Sequence, residues 1–424
     1  MNMQSKKPIT AAEQLLVDSF VHNLGNLPGD GAVLTIRDSY VEDIKQRGLP
    51  TRRVEAWHYT DLRNLLKTVP SIGKSADIEP AERLIAGANV ISVVDGHAAN
   101  IAATGGVTAT AYREDLSDGS AAARMALRNS DDLVGRINGA FVTDGVKLQV
   151  EDDLILGNPL EIQVLHGGGQ AHTRFPVMIG KGVKGLFVER HISCCEEDAL
   201  VSSITDLDVG DGADIVWVIN QEQGLSDTHL GQINIKLGAD AKLLLFVANA
   251  GGKLVRQEIH IVASGEGSEL TLRGVNLLGG ESHTDVTMTL EHIVPNCVSG
   301  QIFRNVVLDR AKGVFQGQIK VAQIAQKTDA KMACNTLLLS DFCDFSAKPE
   351  LEIFADDVQC GHGATVTDID KNQLFYLKAR GIGEKRARSL LVKAFIVEVV
   401  EELDNEVLIE ALEKQFDTWL NNHG

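Results

Sequence analysis

The strongest constraint on this chain is a periodic pattern of short strands between residues 154 and 366. Runs of four to seven residues rich in β-branched side chains alternate there with Gly, Asp and Asn, and helical periodicity is scarce. Three such segments, 232–246, 257–272 and 284–292, each contain a strand at intervals of about 25 to 27 residues. Because a unit of this length cannot bury its apolar face alone, the pattern predicts stacked repeats.

A repeated turn supports this interpretation. GADIVWV begins at Gly212 and GADAKLL at Gly238, one interval later. A β-sandwich with irregular spacing would show the same alternation, but an antiparallel sandwich of this length should contain several tight Asn-Gly hairpin turns. Such turns are scarce here, so the sequence favours a parallel β-helix over residues 153–367.

The N-terminal region, residues 1–152, is predicted as a mainly helical or mixed domain. Apolar residues recur at helical spacing between residues 11 and 49, and a Gly- and Pro-rich turn at 25–31 separates two helices. A helix-like run is also expected within 48–66. Residues 72–152 are Gly- and Ala-rich without a clear period, so no element is predicted there.

Helical periodicity returns in residues 368–424 and predicts a C-terminal helical domain. Gly381 and Gly383 interrupt the first pattern and Asp404 and Asn405 the second, which predicts three helices. The open end of a solenoid exposes unpaired backbone groups and apolar surface. We therefore expect the C-terminal domain to cap that end.

Composition excludes several classes of function. A formal net charge of −18 would repel a phosphate backbone, and the segment 380–385, which resembles a DNA-binding hairpin, precedes acidic helices. No run approaches the roughly 20 apolar residues of a membrane span, and the N-terminus lacks the apolar core of a secretory signal. The sequence thus predicts a cytoplasmic protein that binds neither nucleic acid nor membranes.

The cysteines and histidines give one candidate metal site. Cys334, Cys343, Cys360 and His362 lie within 29 residues and are ligands that soft metals and iron–sulfur clusters prefer. Without a C-x-x-C pair, however, a permanent closed site is not indicated. Several isolated cysteines in the β-region are interpreted as small buried apolar side chains. These are Cys194, Cys195, Cys297 and Cys334.

Cys360 and His362 differ in their setting because they lie where the β-region ends. Flanking Gly361 and Gly363 leave both side chains accessible, as an exchangeable metal or sulfur site requires. A histidine with satisfied hydrogen bonds at a domain junction would give the same spacing. Both interpretations stay open on spacing alone.

Two segments resemble a known family. CGHGATVTDIDKNQLFYLKARGI at 360–382 closely resembles the signature of the SufB/SufD family, in the C-x-H-G-A-T form of its SufD branch. GLPTRRVEAWHYTDL at 48–62 is similar to the P-T-x-x-x-E-x-W-x-Y-T segment of the same branch. With the length and the solenoid between them, the resemblance covers essentially the whole chain.

The resemblance implies a right-handed parallel β-helix with helical domains at both ends, acting as a non-catalytic scaffold in iron–sulfur cluster assembly. SufB and SufD pair in this family, and each recruits one copy of the ATPase SufC, which supplies the ATP hydrolysis. A transient cluster or iron ion is held at their interface, with a histidine of the C-x-H motif among its ligands. In this chain the matching histidine is His362, beside Cys360. The resemblance places SufC on the C-terminal helices, at Gln373, Phe375, Tyr376, Arg380 and Lys393.

Two other identities fit the sequence less well than the SufD branch. A carbohydrate-active enzyme on a β-helix is the alternative from another class, but it would be expected to carry a secretory signal and more than 5% aromatic residues. The chain is short for the SufB branch, and His362 has the SufD context. Whether the isolated chain forms a homodimer, and whether iron binds before assembly, stay open.

Overall fold

The structure is a computed structural model that describes residues 8–73, 78–102 and 105–423. Its helices are α1 Ala11–Asn23, α2 Gly31–Arg47, α3 Leu62–Leu65, α4 Tyr112–Asp118, α5 Leu133–Phe141, α6 Lys371–Ala379, α7 Glu384–Val400 and α8 Glu406–His423. Its strands are β1 Asn89–Val94, β2 His97–Asn100, β3 Val107–Ala111, β4 Asp144–Val150, β5 Leu160–His166, β6 Gly169–Ile179, β7 Lys184–Ser193, β8 Ala199–Val209, β9 Asp214–Glu222, β10 Thr228–Leu237, β11 Lys242–Asn249, β12 Leu254–Ala263, β13 Glu269–Leu278, β14 His283–His292, β15 Val298–Val307, β16 Lys312–Val321, β17 Asp329–Leu338, β18 Asp344–Ile353 and β19 Gln359–Thr367.

The strands form two sheets wound as a solenoid. The ten-stranded sheet has the order β19-β17-β15-β13-β11-β9-β7-β5-β1-β2, and the nine-stranded sheet has the order β18-β16-β14-β12-β10-β8-β6-β4-β3. Successive strands alternate between the sheets, so each coil contributes one strand to each. Neighbours from β4 onward pair in parallel, whereas β1–β2 and β3–β4 are antiparallel. The predicted parallel β-helix with helices at both ends is confirmed, and the β-sandwich alternative is wrong.

The repeat is longer and less regular than the sequence suggested. In the nine-stranded sheet Thr228 pairs with Leu254, Leu254 with His283 and His283 with Lys312, which are steps of 26, 29 and 29 residues. The step lengthens because the intervening strand grows from eight residues in β11 to ten in β13 and the corner after β12 is one residue longer than the corner after β10. The predicted interval of 25 to 27 residues therefore describes only part of the solenoid.

The core lies between the inner faces of the two sheets. Alternate residues of each strand point inward and form one continuous apolar cluster that runs the length of the solenoid. Phe187 and Trp217, on neighbouring strands β7 and β9, stack within it with ring centroids 5.4 Å apart. Each coil therefore completes the apolar layer of the coil before it.

The helices cover the outer faces of the sheets rather than the ends. The three predicted C-terminal helices are present, and residues of α7 and α8 share one buried cluster with outward-facing Val218, Phe246 and Val275 of the ten-stranded sheet. The expectation that these helices cap the solenoid is wrong. The outer face of that sheet carries an apolar stripe, and burying a stripe of this length stabilises more than covering one end.

The N-terminal helices lie over the other sheet. The two helices predicted between residues 11 and 49 are confirmed as α1 and α2, and their core includes Leu200, Leu230 and Leu254 of the nine-stranded sheet. The helix-like run predicted within 48–66 is confirmed only in part, because a three-residue 3₁₀-helix at Glu55–Trp57 and the four-residue α3 form there. Tertiary contacts of the side chains shape that segment instead.

Trp57 is the centre of those contacts. Its ring is fully buried, and the guanidinium of Arg256 lies 4.3 Å from the ring centroid. Arg256 is itself paired with Asp285, with 2.6 Å between Nη1 and Oδ2, and Thr60 donates a hydrogen bond to the same carboxylate. The 48–62 segment is thereby fastened across the strands β12 and β14.

The domain limits 1–152, 153–367 and 368–424 stay a prediction. Strands on both sides of residue 152 share the same sheets, since β4 pairs with β6 and β1 with β5. Elements also occur in 72–152, where the sequence predicted none. Within the described ranges, no helix has both the length and the apolar character needed to cross a membrane.

The fold predicts a loss of stability in mild acid. Burial lowers the pKa of His172 to about 3 and that of His292 to about 4, so both are neutral in the folded chain, whereas each binds a proton near pH 6.5 when unfolded. Their contribution is complete above pH 6.5 and falls below it by about 1.4 kcal/mol per pH unit for each histidine. Urea unfolding at pH 7.5, 6.5 and 5.5 measures this slope.

Substitution separates these histidines from other acid effects. His172→Gln should reduce the slope of the free energy of unfolding against pH by about 1.4 kcal/mol per pH unit. His58→Gln, at an exposed histidine, is the matched control for replacing a histidine by glutamine. Equal slopes in all three proteins would contradict the assignment.

Candidate functional site

Cys360 and His362 lie on β19, the last strand of the ten-stranded sheet. In the parallel register Cys360 is opposite Ala330 and His362 is opposite Met332 of β17. Ala330 and Met332 both belong to the buried core. Because register partners share a face of the sheet, Cys360 and His362 project on the inner side of the final coil.

The two side chains differ in exposure. Cys360 is half-buried and packs against the solenoid core, whereas His362 is exposed. Burial raises the pKa of the Cys360 thiol, and the charge of Asp329 adds to this rise, while a hydrogen bond with the backbone of Ala330 opposes it. Cys360 is therefore mainly a thiol near neutral pH, and a metal would have to displace its proton.

The end of the solenoid that carries these residues is open. β18 and β19 are the terminal strands of their sheets, so each has one edge without a neighbouring strand among the described residues. On β18 the inner residues Phe345, Ala347 and Leu351 pack against the core, as Cys360 does on β19. The last coil thus offers backbone hydrogen-bonding groups along two parallel edges.

Large apolar side chains surround this open end. Phe342 is 76% exposed and Phe354 is 66% exposed, and Ile353 and Val366 are also exposed. Clusters of exposed apolar side chains commonly mark interaction surfaces. Sequence reasoning missed them, although the adjacent Ile353 and Phe354 next to a turn are a signal that was available.

The described residues do not assemble a complete metal site. No group of three or more His, Cys, Asp or Glu side chains in the described ranges is arranged to hold a metal ion. Cys334 is buried, and the side-chain amide of Asn305 donates a hydrogen bond to its sulfur. This bond lowers the pKa of the Cys334 thiol, but burial outweighs it and raises the pKa to about 12. The Cys343 thiol lies 3.0 Å from the carbonyl oxygen of Ser340. Of the four candidate ligands, Cys334 is thus buried, Cys343 and Cys360 are half-buried, and His362 is exposed.

The predicted partner-binding residues fall into two groups. Phe375 and Tyr376 on α6 are 72% and 56% exposed, Gln373 is exposed beside them, and the guanidinium of Arg380 lies 4.7 Å from the centroid of the Tyr376 ring. All four side chains are exposed on α6 or at its C-terminal end, and we refer to them together as the α6 patch. Lys393 on α7 does not belong to it.

Lys393 connects the two long C-terminal helices. Its ammonium lies 2.7 Å from Asp417 and 3.3 Å from Glu413, both on α8. These two carboxylates raise the pKa of Lys393 above its ordinary value, against a small opposing effect of burial. The structure thus gives Lys393 an intramolecular role between α7 and α8.

Comparison with known proteins identifies relatives over most of the chain. Residues 163–395 match the family described as SUF system FeS cluster assembly, SufBD core domain. The chain is 28% identical to the iron–sulfur cluster assembly protein SufD of Escherichia coli, over 87% of this chain and 89% of that protein. It is 26% identical to a chloroplastic protein of Arabidopsis thaliana, over 92% of this chain and 87% of that protein. It is 24% identical to a SufBD family cluster assembly protein of Synechocystis, over 88% of each.

The cysteine environments predict an order of reactivity. At pH 7.5 iodoacetamide should modify the exposed Cys194 first, the half-buried Cys360 more slowly, and Cys334 at least about tenfold more slowly than Cys360, because access falls in that order and burial raises the pKa of Cys334 to about 12. Peptide mass spectrometry over a time course measures the three rates. Modification of Cys334 in the folded chain at the rate of Cys194 would contradict this order.

Proposed function

The chain belongs to the SufBD family of the SUF iron–sulfur cluster assembly system, and its predicted resemblance to SufD is confirmed. From this premise we propose that it is a non-catalytic scaffold subunit on which a nascent cluster is built and then released. The cluster is cargo rather than a resident cofactor. The carbohydrate-enzyme alternative is set aside, because the family concerns cluster assembly.

The observation that carries the proposal is the pair of side chains at the open end. Cys360 and His362 share the inner face of the last coil, and His362 is exposed. A thiolate and a neutral imidazole both bind iron. Because two side chains leave the coordination of a cluster incomplete, the remaining ligands would come from SufB, and the cluster could leave when that interface rearranges.

Pairing with SufB would use the open end itself. An extended segment or sheet edge of another chain can add to β18 and β19 through backbone hydrogen bonds. The exposed Phe342, Phe354 and Ile353 would be buried in such a contact. A second copy of this chain offers the same chemistry, so the proposal includes a homodimer of the isolated chain.

The ATPase SufC would dock on the α6 patch. Exposed aromatic side chains next to an arginine are typical anchors of protein interfaces, and Phe375, Tyr376 and Arg380 supply them. ATP hydrolysis would come from SufC. The cytoplasmic location also stays a prediction, since one relative is named as a chloroplastic protein.

His362→Ala tests the cluster site. Co-expression with SufB and SufC without oxygen should give the complex in normal yield but with its cluster content reduced about tenfold or more. The reason is that removing a metal ligand should weaken cluster binding at least as much as removing the contacts that support a ligand. Native mass spectrometry measures assembly and visible absorbance measures the cluster. The same preparation without SufB shows whether the chain forms a homodimer.

The matched control is His97→Ala. His97 is exposed on β2, at the opposite end of the ten-stranded sheet, so its loss should change neither quantity. A full cluster content in the His362→Ala complex would remove this residue from the site. Failure of the wild-type chain to bind SufB or SufC would remove the scaffold proposal itself.

Phe375→Ala tests the docking patch. Truncation of an exposed aromatic anchor should weaken SufC binding by about 2 kcal/mol, or roughly 30-fold, without a change in the thermal midpoint. Isothermal calorimetry measures the affinity. Leu225→Ala, which removes an equally exposed apolar side chain from the corner between β9 and β10, should leave the affinity unchanged.

Lys393→Ala separates the two groups of predicted partner residues. Since its ammonium is already paired with Asp417 and Glu413, we expect a stability loss of at most about 1 kcal/mol and little change in SufC affinity. A loss of affinity as large as that of Phe375→Ala would instead place Lys393 in the interface, as the family resemblance implies.

A further inference from the structure

The interior of the first coils contains a row of polar side chains. His191, Gln221 and Asn249 are register neighbours on β7, β9 and β11, and each is at most 1% exposed. Each has one polar atom without a hydrogen-bond partner among the described residues, namely His191 Nδ1, Gln221 Oε1 and Asn249 Oδ1. Because neighbouring strands are about 4.8 Å apart, the three side chains occupy consecutive steps of one row.

The facing sheet repeats this feature. Thr173 and Ser203 are register neighbours on β6 and β8, both are buried, and neither hydroxyl has a partner among the described residues. The two inner faces meet at this level, since the Thr205 hydroxyl of β8 donates to the Glu189 carboxylate of β7 at 2.7 Å. The unpartnered atoms therefore belong to one region of the interior.

A glycine lets two further polar side chains reach this region. Gly231 on β10 is in register with Ser203. A Cβ atom at Gly231 would lie 2.7 Å from Nε2 of His229 and 2.6 Å from Oε1 of Gln257, closer than real Cβ contacts allow. The absence of a side chain at Gly231 thus lets His229 and Gln257 approach the backbone of β10, where both contact the Gln221 amide.

The same region holds buried charge. His191 lies 2.8 Å from the Glu189 carboxylate, and His166 lies 3.4 Å from that of Asp227. Burial disfavours a charge on His166, but the hydrogen bond and charge of Asp227 outweigh it and raise the pKa of His166. Burial lowers the pKa of His229, as do its neighbours His191 and His166. Imidazole and carboxylate groups buried this closely need polar solvation.

Later coils of the same row are satisfied within the protein. The Asn249 side-chain amide donates to Oδ1 of Asn276 at 2.7 Å, and Asn276 donates in turn to Asn305 at 2.7 Å. Asn305 donates to the Thr336 hydroxyl at 3.0 Å. The unpartnered atoms of this row are therefore confined to its first three steps, from β7 to β11.

One residue separates this region from a surface groove. The groove has a volume of about 830 Å³, and its walls include Gln223 and the α8 residues Lys414 and Gln415. Gln223 is itself buried, with Oε1 2.7 Å from Nε2 of His166 and Nε2 3.0 Å from Nδ1 of His229. Its side chain thus belongs to both the groove wall and the interior cluster.

We infer that the coils from β5 to β12 enclose a hydrated chamber whose ordered waters bind His191, Gln221, Asn249 and the facing hydroxyls, with Gln223 as its gate to the groove. Buried polar atoms are almost always paired with protein or with ordered water, and a buried water needs two to four polar partners. The row and the facing hydroxyls supply them. The ligand is water, and the inference does not depend on the proposed function.

A crystal structure of the full chain at high resolution tests the chamber. We expect ordered waters within hydrogen-bond distance of His191 Nδ1, Gln221 Oε1 and Asn249 Oδ1. An interior without water density at these three atoms would overturn the chamber, as would a different side-chain arrangement that pairs them with protein groups.

Thiol labelling in solution tests the gate. Ser203→Cys places a thiol in the chamber with little change in volume, and methyl methanethiosulfonate is a small uncharged probe. We expect slow labelling at residue 203 while Gln223 is present, and labelling about tenfold faster or more when Gln223→Ala is added. Gln223→Leu, which keeps most of the volume, should stay close to the slow rate. Peptide mass spectrometry distinguishes this site from the native cysteines.

Cys334 provides the internal control for general loosening. It is buried on β17, outside the proposed chamber, and should stay unlabelled in every variant. Equal acceleration at Cys334 and at residue 203 in the Gln223→Ala protein would show global opening and would overturn the gate. Unchanged labelling at residue 203 would overturn it as well.

Discussion

The structure depends on the parallel stacking of coils that are each too thin to fold alone. Every strand from β5 to β17 has a parallel neighbour on both sides, and its inward residues are covered by the coils before and after it. This arrangement needs some element to begin the stack. The antiparallel β2 and β3 occupy the first edges of the two sheets, so the stack begins with antiparallel strands of the same chain.

The other end finishes in the parallel strands β18 and β19, and the C-terminal helices pack on a sheet face instead. α7 and α8 are placed by the apolar outer face of the ten-stranded sheet, with Arg273 bound to Glu402 and Arg304 bound to Glu398. The N-terminal helices are placed by the outer face of the other sheet. Both helical units therefore cover faces, and β18 and β19 stay accessible. Under the proposed function, this accessible end would give a second subunit a surface to bind.

The interior is not uniformly apolar, although stacking alone would favour that. Hydrogen bonds join the equivalent side chains of successive coils in the asparagine row from Asn249 to Asn305. Such a row fixes register, since a shift of one residue would bury unpaired amides. In the first coils the row changes to histidine and glutamine, and there polar atoms outnumber their protein partners.

The sequence by itself determined the strand-rich repeat, the helices α1, α2 and α6 to α8, and the pair Cys360 and His362. Alternation, helical period and motif spacing are all patterns among residues close together in the chain. It did not determine where the helices pack, that Lys393 would be held by α8, or that Trp57 would be buried under Arg256. Nor did it reveal the polar interior, whose residues are separated by whole coils, as His191 and Gln221 are. Those features depend on which faces meet, and only the stacking of the coils decides that.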